Sequence, residues 1–279
     1  MRLLCDENIV GLEAVASLCE LRTMPGREIS RADLVDVDAL WVRSVTRVDA
    51  ALLEGTPVRL VGTATAGVEH VDTAYLEKQG IAFHSAPGAN ANAVVEYVLA
   101  VLAALGDPWE RLDDGGTLGI VGYGHVGRAL RAVAVALGWR VRVCDPWVAD
   151  ASKADENVAE RALEPVLAAD VISLHCELTD ALPWPSRHLL DAGRLAGLRG
   201  GQWLINAARG EVIDGAALLE RLRAKDPPQV VLDVWDGEPA FDPALLACPA
   251  LRIGTAHIAG YSWDAKWAAT RMLAAATFP

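Results

Sequence analysis

Arginine, glutamate and histidine stand at three places where apolar runs stop: Arg209 in WLINAARGEVID, Glu238 in VVLDVWDGEP and His257 in IGTAHIAGYS. Each has a plain structural explanation when taken alone: a surface arginine, a turn glutamate before Pro239, a satisfied core histidine. Together they are the set needed to oxidise a 2-hydroxy acid. A guanidinium grips a carboxylate through two parallel hydrogen bonds and polarises the neighbouring C2 oxygen. An imidazole removes the hydroxyl proton as the hydride leaves C2. A carboxylate bonded to the imidazole fixes its tautomer and stabilises the imidazolium that forms. Glu238 is the expected partner of His257.

A hydride needs an acceptor, and TLGIVGYGHVGRALRAVAVALGWRVRVCDP supplies a place to hold one. A lone GxGxxG is weak evidence, but here an apolar strand precedes Gly122-Tyr123-Gly124-His125-Val126-Gly127 and an amphipathic helix follows it. Gly122 permits the tight turn, Gly124 lets a pyrophosphate approach the backbone, and Gly127 lets helix and strand pack closely. The helix N-terminus adds unsatisfied N–H groups and partial positive charge. A second strand then ends at Asp145, placed to accept hydrogen bonds from the adenosine ribose. The next residues are Pro146, Trp147 and Val148, with no arginine to meet a 2′-phosphate, so NAD is expected rather than NADP. Asp233, inside the VVLDV run, is expected on the nicotinamide-ribose side.

These residues need elements to carry them. Strand patterns fall at Arg2–Cys5, Glu20–Met24, Ala39–Val42, Arg59–Thr63 and Ile81–His84, with helices or turns at Asn8–Leu18, Arg31–Val35 and Asp72–Gln79 between them. Strand–helix alternation argues for a parallel sheet covered on both faces. Pro87–Gly88 breaks the chain, and Asn90 or Asn92 caps a long apolar helix running to about Leu105. A second alternation follows. Its strands are expected at Thr117–Val121, Arg140–Cys144, Asp170–His175, Gln202–Asn206, Gln229–Val234 and Arg252–Thr255. Its helices are expected at Val126–Leu137, Leu163–Ala168, Ala216–Arg223 and near His188–Ala192. That is a six-stranded doubly wound unit. Trp263 to Ala275 reads as a helix leading back to the first unit. The expected division is residues 1–88 plus 258–279 for substrate and 89–257 for the dinucleotide. Crossings near 87–90 and 257–260 would make a hinge with a cleft.

Composition narrows the class. The chain has 279 residues, 52% hydrophobic and 22% charged, as a globular protein of about two domains does. No apolar run reaches the ~18 residues of a membrane span, and Asp6 and Glu7 come too early for a signal peptide. Five scattered cysteines form no CxxC pair, which fits a reducing cytoplasm, and Cys5 and Cys144 read as small core residues. Six histidines lack the spacing of metal ligands. A net charge of −12 without a basic run disfavours nucleic acid. Anionic ligands must then be held by local cations or helix N-termini.

GYGHVG with Asp145, NAARG, DVWDGEP and AHIAG together resemble the D-isomer-specific 2-hydroxyacid dehydrogenases, over nearly the whole chain. The resemblance implies a flavodoxin-like substrate domain with an inserted Rossmann domain, and Arg209, Glu238 and His257 as the catalytic trio. LLCDENI, PGREIS, ALWVRSVTRVDAALLEG, VGTATAGVEHVD, SAPGANANAVVEYV and AHIAGYS are similar to the branch that oxidises 4-phospho-D-erythronate to 2-oxo-3-hydroxy-4-phosphobutanoate, in vitamin B6 synthesis. By that resemblance Ser44, Thr65 and Tyr261 contact substrate, and Asp145, Cys176, Asp233 and Gly260 contact cofactor. Arg43 and Arg47 flank Ser44 and are candidate phosphate cations, or solvated surface arginines. Two departures stand out. Cys176-Glu177-Leu178 stands where the family more often has Thr-Pro-Leu, and the sequence up to Pro279 does not include the further C-terminal dimerisation domain that the resemblance leads one to expect. A homodimer is one possible assembly. Another D-2-hydroxyacid dehydrogenase, such as one acting on phosphoglycerate, and an NAD(H)-sensing binding protein are the alternatives.

Overall fold

The computed structural model describes residues 1–151 and 159–278. They form two compact units, residues 1–91 with 261–279, and residues 92–260. Each boundary falls slightly later in the chain than the sequence division.

The first unit is a five-stranded parallel sheet of β1 (Arg2–Asp6), β2 (Glu20–Met24), β3 (Ala39–Val42), β4 (Leu60–Thr63) and β5 (Ala82–His84), in the order β2-β1-β3-β4-β5. This is the flavodoxin-like order. Leu3, Leu4, Cys5, Leu40, Trp41 and Val42 are buried, as apolar runs covered on both faces must be. The helix Trp263–Thr277 belongs to this unit despite its place in the chain. Ser262 caps it by accepting from the Ala265 N–H at 3.1 Å. Thr270 donates to the Val10 carbonyl at 2.7 Å, and the Trp267 ring fills the space over Gly11. Asn8–Leu18, expected as a helix or a turn, holds one 3₁₀ turn, Leu12–Ala14. Gly11, at φ +74°, opens that segment left-handed, and the Trp267 ring occupies the room a side chain there would need.

The second unit is a seven-stranded parallel sheet: β6 (Thr117–Val121), β7 (Arg140–Cys144), β8 (Ala159–Glu160), β9 (Val171–Leu174), β10 (Trp203–Asn206), β11 (Gln229–Leu232) and β12 (Leu251–Gly254). The order is β12-β11-β10-β9-β6-β7-β8. Its first six strands give the Rossmann 3-2-1-4-5-6 sequence, and β12 extends the far edge. The six-strand expectation missed β8, a two-residue strand too short to show any period. The helix expected near His188–Ala192 is also absent. His188 is left-handed at φ +49° and Leu190 bridges to Ile213. The helix begins instead at Ala192, running to Gly197 with Asp191 as its cap. Helix Ala91–Leu105 buries Val95, Val98, Val101 and Leu102. Gly106, at φ +72°, ends it before a further helix, Asp107–Asp113, which the sequence reading passed over.

Among the described residues no single helix is long and apolar enough to cross a membrane. None of their His, Cys, Asp and Glu side chains form a group of three or more suited to a metal ion.

Candidate active site

The dinucleotide turn follows β6 in the second unit, and each of its glycines is required for a different reason. Gly122 sits at φ +96°, and a Cβ there would lie 2.5 Å from the Cys176 backbone nitrogen. A Cβ on Gly127 would lie 2.0 Å from the Gly122 carbonyl oxygen, so only glycine lets helix His125–Ala136 pack on the turn. A Cβ on Gly124 would meet nothing within 4 Å. The open space lies at the helix N-cap, where a phosphate would meet the first N–H groups of His125 and Val126. The donor set and the space both suit a dinucleotide. Asp145, just past β7, accepts from the Tyr123 N–H at 2.7 Å and from the Val148 N–H at 3.1 Å, which fixes its carboxylate beside the turn.

A cavity of about 660 Å³ opens at this end of the sheet, within the usual range for small-molecule sites. Gly122, Gly124, Asp145 and Cys176 line it, as do Trp147, Trp184, Arg161 and His175. Burial pushes the Cys144 and Cys176 thiols up to about 12, so both stay protonated and unreactive. Burial pushes His175 down to about 4, so its ring is neutral. Its Nε2 pairs with the Ser173 hydroxyl at 2.8 Å, while its buried Nδ1 has no partner. Local sequence did not announce the Trp147–Trp184 edge-to-face pair, whose centroids are 5.1 Å apart, or Arg161, because they reach the cavity from separate parts of the chain, Trp147 from the short helix Pro146–Ala151 and the other two from loops.

Three loops at the same sheet edge carry the expected trio. Beyond β10, Asn206 shapes the first: its amide donates to the Arg209 carbonyl at 3.0 Å and its oxygen accepts from the Ala208 N–H at 3.1 Å. Arg209 is half-buried, and its Nη1 donates to the Ala208 carbonyl at 2.8 Å. A Cβ on the next residue, Gly210, would lie 2.0 Å from the Trp235 carbonyl oxygen. That glycine allows the Arg209 loop to seat against the loop bearing Glu238. Glu238 Oε2 accepts from the Trp235 N–H at 3.1 Å, and its Oε1 meets His257 Nδ1 at 2.5 Å. The His257 side chain is 50% exposed and that of Glu238 32%. Structure thus brings Glu238 and His257 into the pair expected of them.

Asp233 is 1% exposed. Its Oδ1 accepts from the Thr255 hydroxyl at 2.6 Å and the Ile258 N–H at 2.7 Å, and its Oδ2 from the Ala259 N–H at 2.8 Å. Its own carbonyl accepts from the His257 N–H at 2.7 Å. Asp233 therefore ties down the loop that carries His257 and Gly260, which its expected place beside the cofactor did not suggest. Sequence reading also missed Tyr97 and Thr255, whose hydroxyls lie 2.7 Å apart. A signal was present: a tyrosine in the apolar helix VVEYVLAVL needs a partner for its hydroxyl.

The remaining candidates lie in the first unit. Ser44 is exposed and Arg43 half-buried, both just past β3. Thr65 donates to the Gly67 carbonyl at 2.7 Å and lies 2.7 Å from the Thr63 hydroxyl, which in turn contacts His70 Nε2 at 2.9 Å. Tyr261 is 61% exposed. A hydrogen bond and the charge of Lys266, then Arg43, hold its phenol below the usual tyrosine range. Lys266 Nζ lies 3.5 Å from the ring centroid. Arg43 and Tyr261 are thus together, joined by Lys266, which was not singled out from sequence. Arg47 is ion-paired with Asp49 at 3.1 Å on an exposed surface, in line with the surface reading.

Residues 110–259 match the family described as D-isomer specific 2-hydroxyacid dehydrogenase, NAD binding domain. An erythronate-4-phosphate dehydrogenase of Stutzerimonas stutzeri (strain A1501) is 49% identical over 278 residues, which is 99% of this chain and 71% of that protein. The TT0316 protein of Thermus thermophilus superposes with TM-score 0.79 at 27% identity, covering 99% of this chain and 97% of that one. The NAD+-bound 3-phosphoglycerate dehydrogenase of Entamoeba histolytica gives TM-score 0.80 at 22% identity, covering 100% and 96%, a likeness of fold.

Proposed function

The chain belongs to the D-isomer-specific 2-hydroxyacid dehydrogenases, NAD-dependent oxidoreductases, and from that premise we propose that it oxidises 4-phospho-D-erythronate to 2-oxo-3-hydroxy-4-phosphobutanoate. The observation that carries the chemistry is the 2.5 Å contact between His257 Nδ1 and Glu238 Oε1. A carboxylate at Nδ1 keeps the ring proton there and leaves the Nε2 lone pair to accept the C2 hydroxyl proton. The same carboxylate stabilises the imidazolium once that proton has arrived. Arg209, seated against the Glu238 loop, orients the substrate carboxylate and polarises the C2 oxygen. Bound NAD supplies the hydride acceptor, and Gly122, Gly124, His125, Val126, Gly127 and Asp145 are the residues that would hold it, with Cys176, Asp233 and Gly260.

The substrate is read from the relatives named erythronate-4-phosphate dehydrogenase. We assign its phosphate end to Arg43, Ser44, Thr65 and Tyr261. The Arg43–Tyr261–Lys266 cluster supports this, because a dianion needs nearby cations in a chain whose net charge is −12. Production of a pyridoxal 5′-phosphate precursor in the cytoplasm follows from the same reading.

The test is NAD reduction followed at the nicotinamide absorbance, with 4-phospho-D-erythronate and 3-phospho-D-glycerate side by side. Strong preference for the four-carbon acid is expected. Preference for the three-carbon acid would move the chain to a different branch of the family. Reduction of NAD with neither acid, in protein that still binds NADH, would overturn the substrate assignment.

A further inference from the structure

The loop that carries His257 is held from beneath by a chain of hydroxyls that the reaction scheme leaves unused. Tyr97 Oη lies 2.7 Å from Thr255 Oγ1, and Thr255 Oγ1 donates to Asp233 Oδ1 at 2.6 Å. The direction of both bonds follows from the groups present. A carboxylate oxygen only accepts, so the single Thr255 hydrogen is committed to Asp233, and Tyr97 must donate to Thr255. Asp233 in turn receives the Ile258 and Ala259 N–H groups on its two oxygens. Those residues follow a histidine whose φ is +55°. A side chain bearing a Cβ adopts that left-handed backbone only where its surroundings hold it there.

We propose that Tyr97 and Thr255 are positioning residues for the base. Their hydroxyl relay fixes the Asp233 carboxylate, which holds residues 257–259 in the left-handed turn that presents His257 to Glu238. This rests on reading His257 as the proton acceptor. The relay joins helix Ala91–Leu105 to the end of β12, so the catalytic loop is tied to the interior of its own unit. Trp235 braces the same point from another side, its Nε1 donating to the Thr255 carbonyl at 2.8 Å.

Three single variants and one double variant test the proposal. Tyr97→Phe and Thr255→Val remove the relay with little change of shape, and Thr255→Ser keeps its hydroxyl. The first two are expected to lower kcat by about tenfold, with KM for the hydroxy acid nearly unchanged: Thr255→Val takes a donor directly from the buried Asp233 carboxylate, and Tyr97→Phe removes the donor that orients the Thr255 hydroxyl toward it. Thr255→Ser should restore kcat to near the wild-type value. The Tyr97→Phe/Thr255→Val double variant should lose little more than the worse single variant, because one chain is broken either way. Hydrogen exchange gives a readout independent of turnover: the Ile258 and Ala259 amides should exchange about tenfold faster in the first two variants and not in Thr255→Ser. Unchanged kcat and unchanged exchange in Thr255→Val would overturn the relay, as would a Thr255→Ser variant as impaired as Thr255→Val. If the wild-type protein oxidises neither acid, the functional reading fails, and the amide exchange still decides the relay.

Discussion

His257 illustrates how much a single residue can be asked to do. Its backbone is held left-handed, its N–H is spent on the Asp233 carbonyl, and its Nδ1 is claimed by Glu238. What remains for chemistry is Nε2. Replacing His257 with Asn should lower kcat by roughly 10²–10⁴-fold, the usual range for a lost general base, while NADH affinity measured by fluorescence titration holds. Near-normal turnover in that variant would remove His257 from the reaction. Glu238→Gln is a subtler change of the same pair. Gln keeps the shape but offers an N–H to Nδ1, which shifts the ring proton to Nε2 and blocks it as a base. A fall in kcat of at least about 10²-fold, again with NADH binding intact, is expected by analogy with carboxylates that hold a catalytic histidine tautomer. Sequence placed both residues at strand ends. It did not show that Asp233, one of its cofactor candidates, would be the clamp beneath them.

At the scale of the element, the turn after β6 separates two kinds of glycine. Gly122→Ala puts a Cβ against the Cys176 backbone at a left-handed φ, costing about 1–3 kcal/mol from the backbone alone. A lower Tm and loss of NADH binding should appear together. Gly124→Ala meets no atom of the protein within 4 Å, so its Tm should match the wild type while NADH binding weakens. A Gly124→Ala protein that binds NADH normally would mean that the phosphates lie elsewhere. Strands were the legible elements, since apolar runs such as Thr117–Val121 and Arg140–Cys144 lie where expected. Helices were less so. The pattern at Asn8–Leu18 leaves helix and turn open; with Gly11 left-handed beneath the distant Trp267 ring, the segment forms one 3₁₀ turn. At His188–Ala192 a left-handed His188 and the Leu190–Ile213 bridge take the place of a helix, and the bridge partner is one the segment's own pattern does not announce.

For the molecule as a whole, two half-buried histidines, His175 and His70, set part of the response to pH. His175 has its pKa lowered from 6.5 to about 4 by burial. The unfolded chain therefore binds a proton near pH 6.5 that the native state refuses until about pH 4. Stability from this group is complete above pH 6.5 and is lost as pH falls through that window, by roughly 3 kcal/mol in all. Burial also lowers the pKa of His70, which adds in the same direction. Thermal melts without ligand at pH 7.5 and pH 5 should show a larger fall in Tm for the wild type than for His175→Asn. Equal falls would show that His175 does not govern this part of the pH response.

What the sequence determined by itself was whatever depends on neighbours within a few residues. That covers the apolar strands, the glycine turn with its following helix, and the trio at strand ends. Strand period, left-handed glycine and helix capping are local effects, written in adjacent side chains. Tertiary structure decided the rest, because hydrogen-bond partners and close approaches are chosen by chain crossings. Tyr97 meets Thr255 across 158 residues, and Gly210 is needed only because the Trp235 carbonyl arrives beside it. Asp233 reaches both backbone N–H groups of Ile258 and Ala259 only once β11 and β12 lie side by side. The candidate reacting groups can be named from the chain, but the positions they take come from contacts that exist only after it has folded.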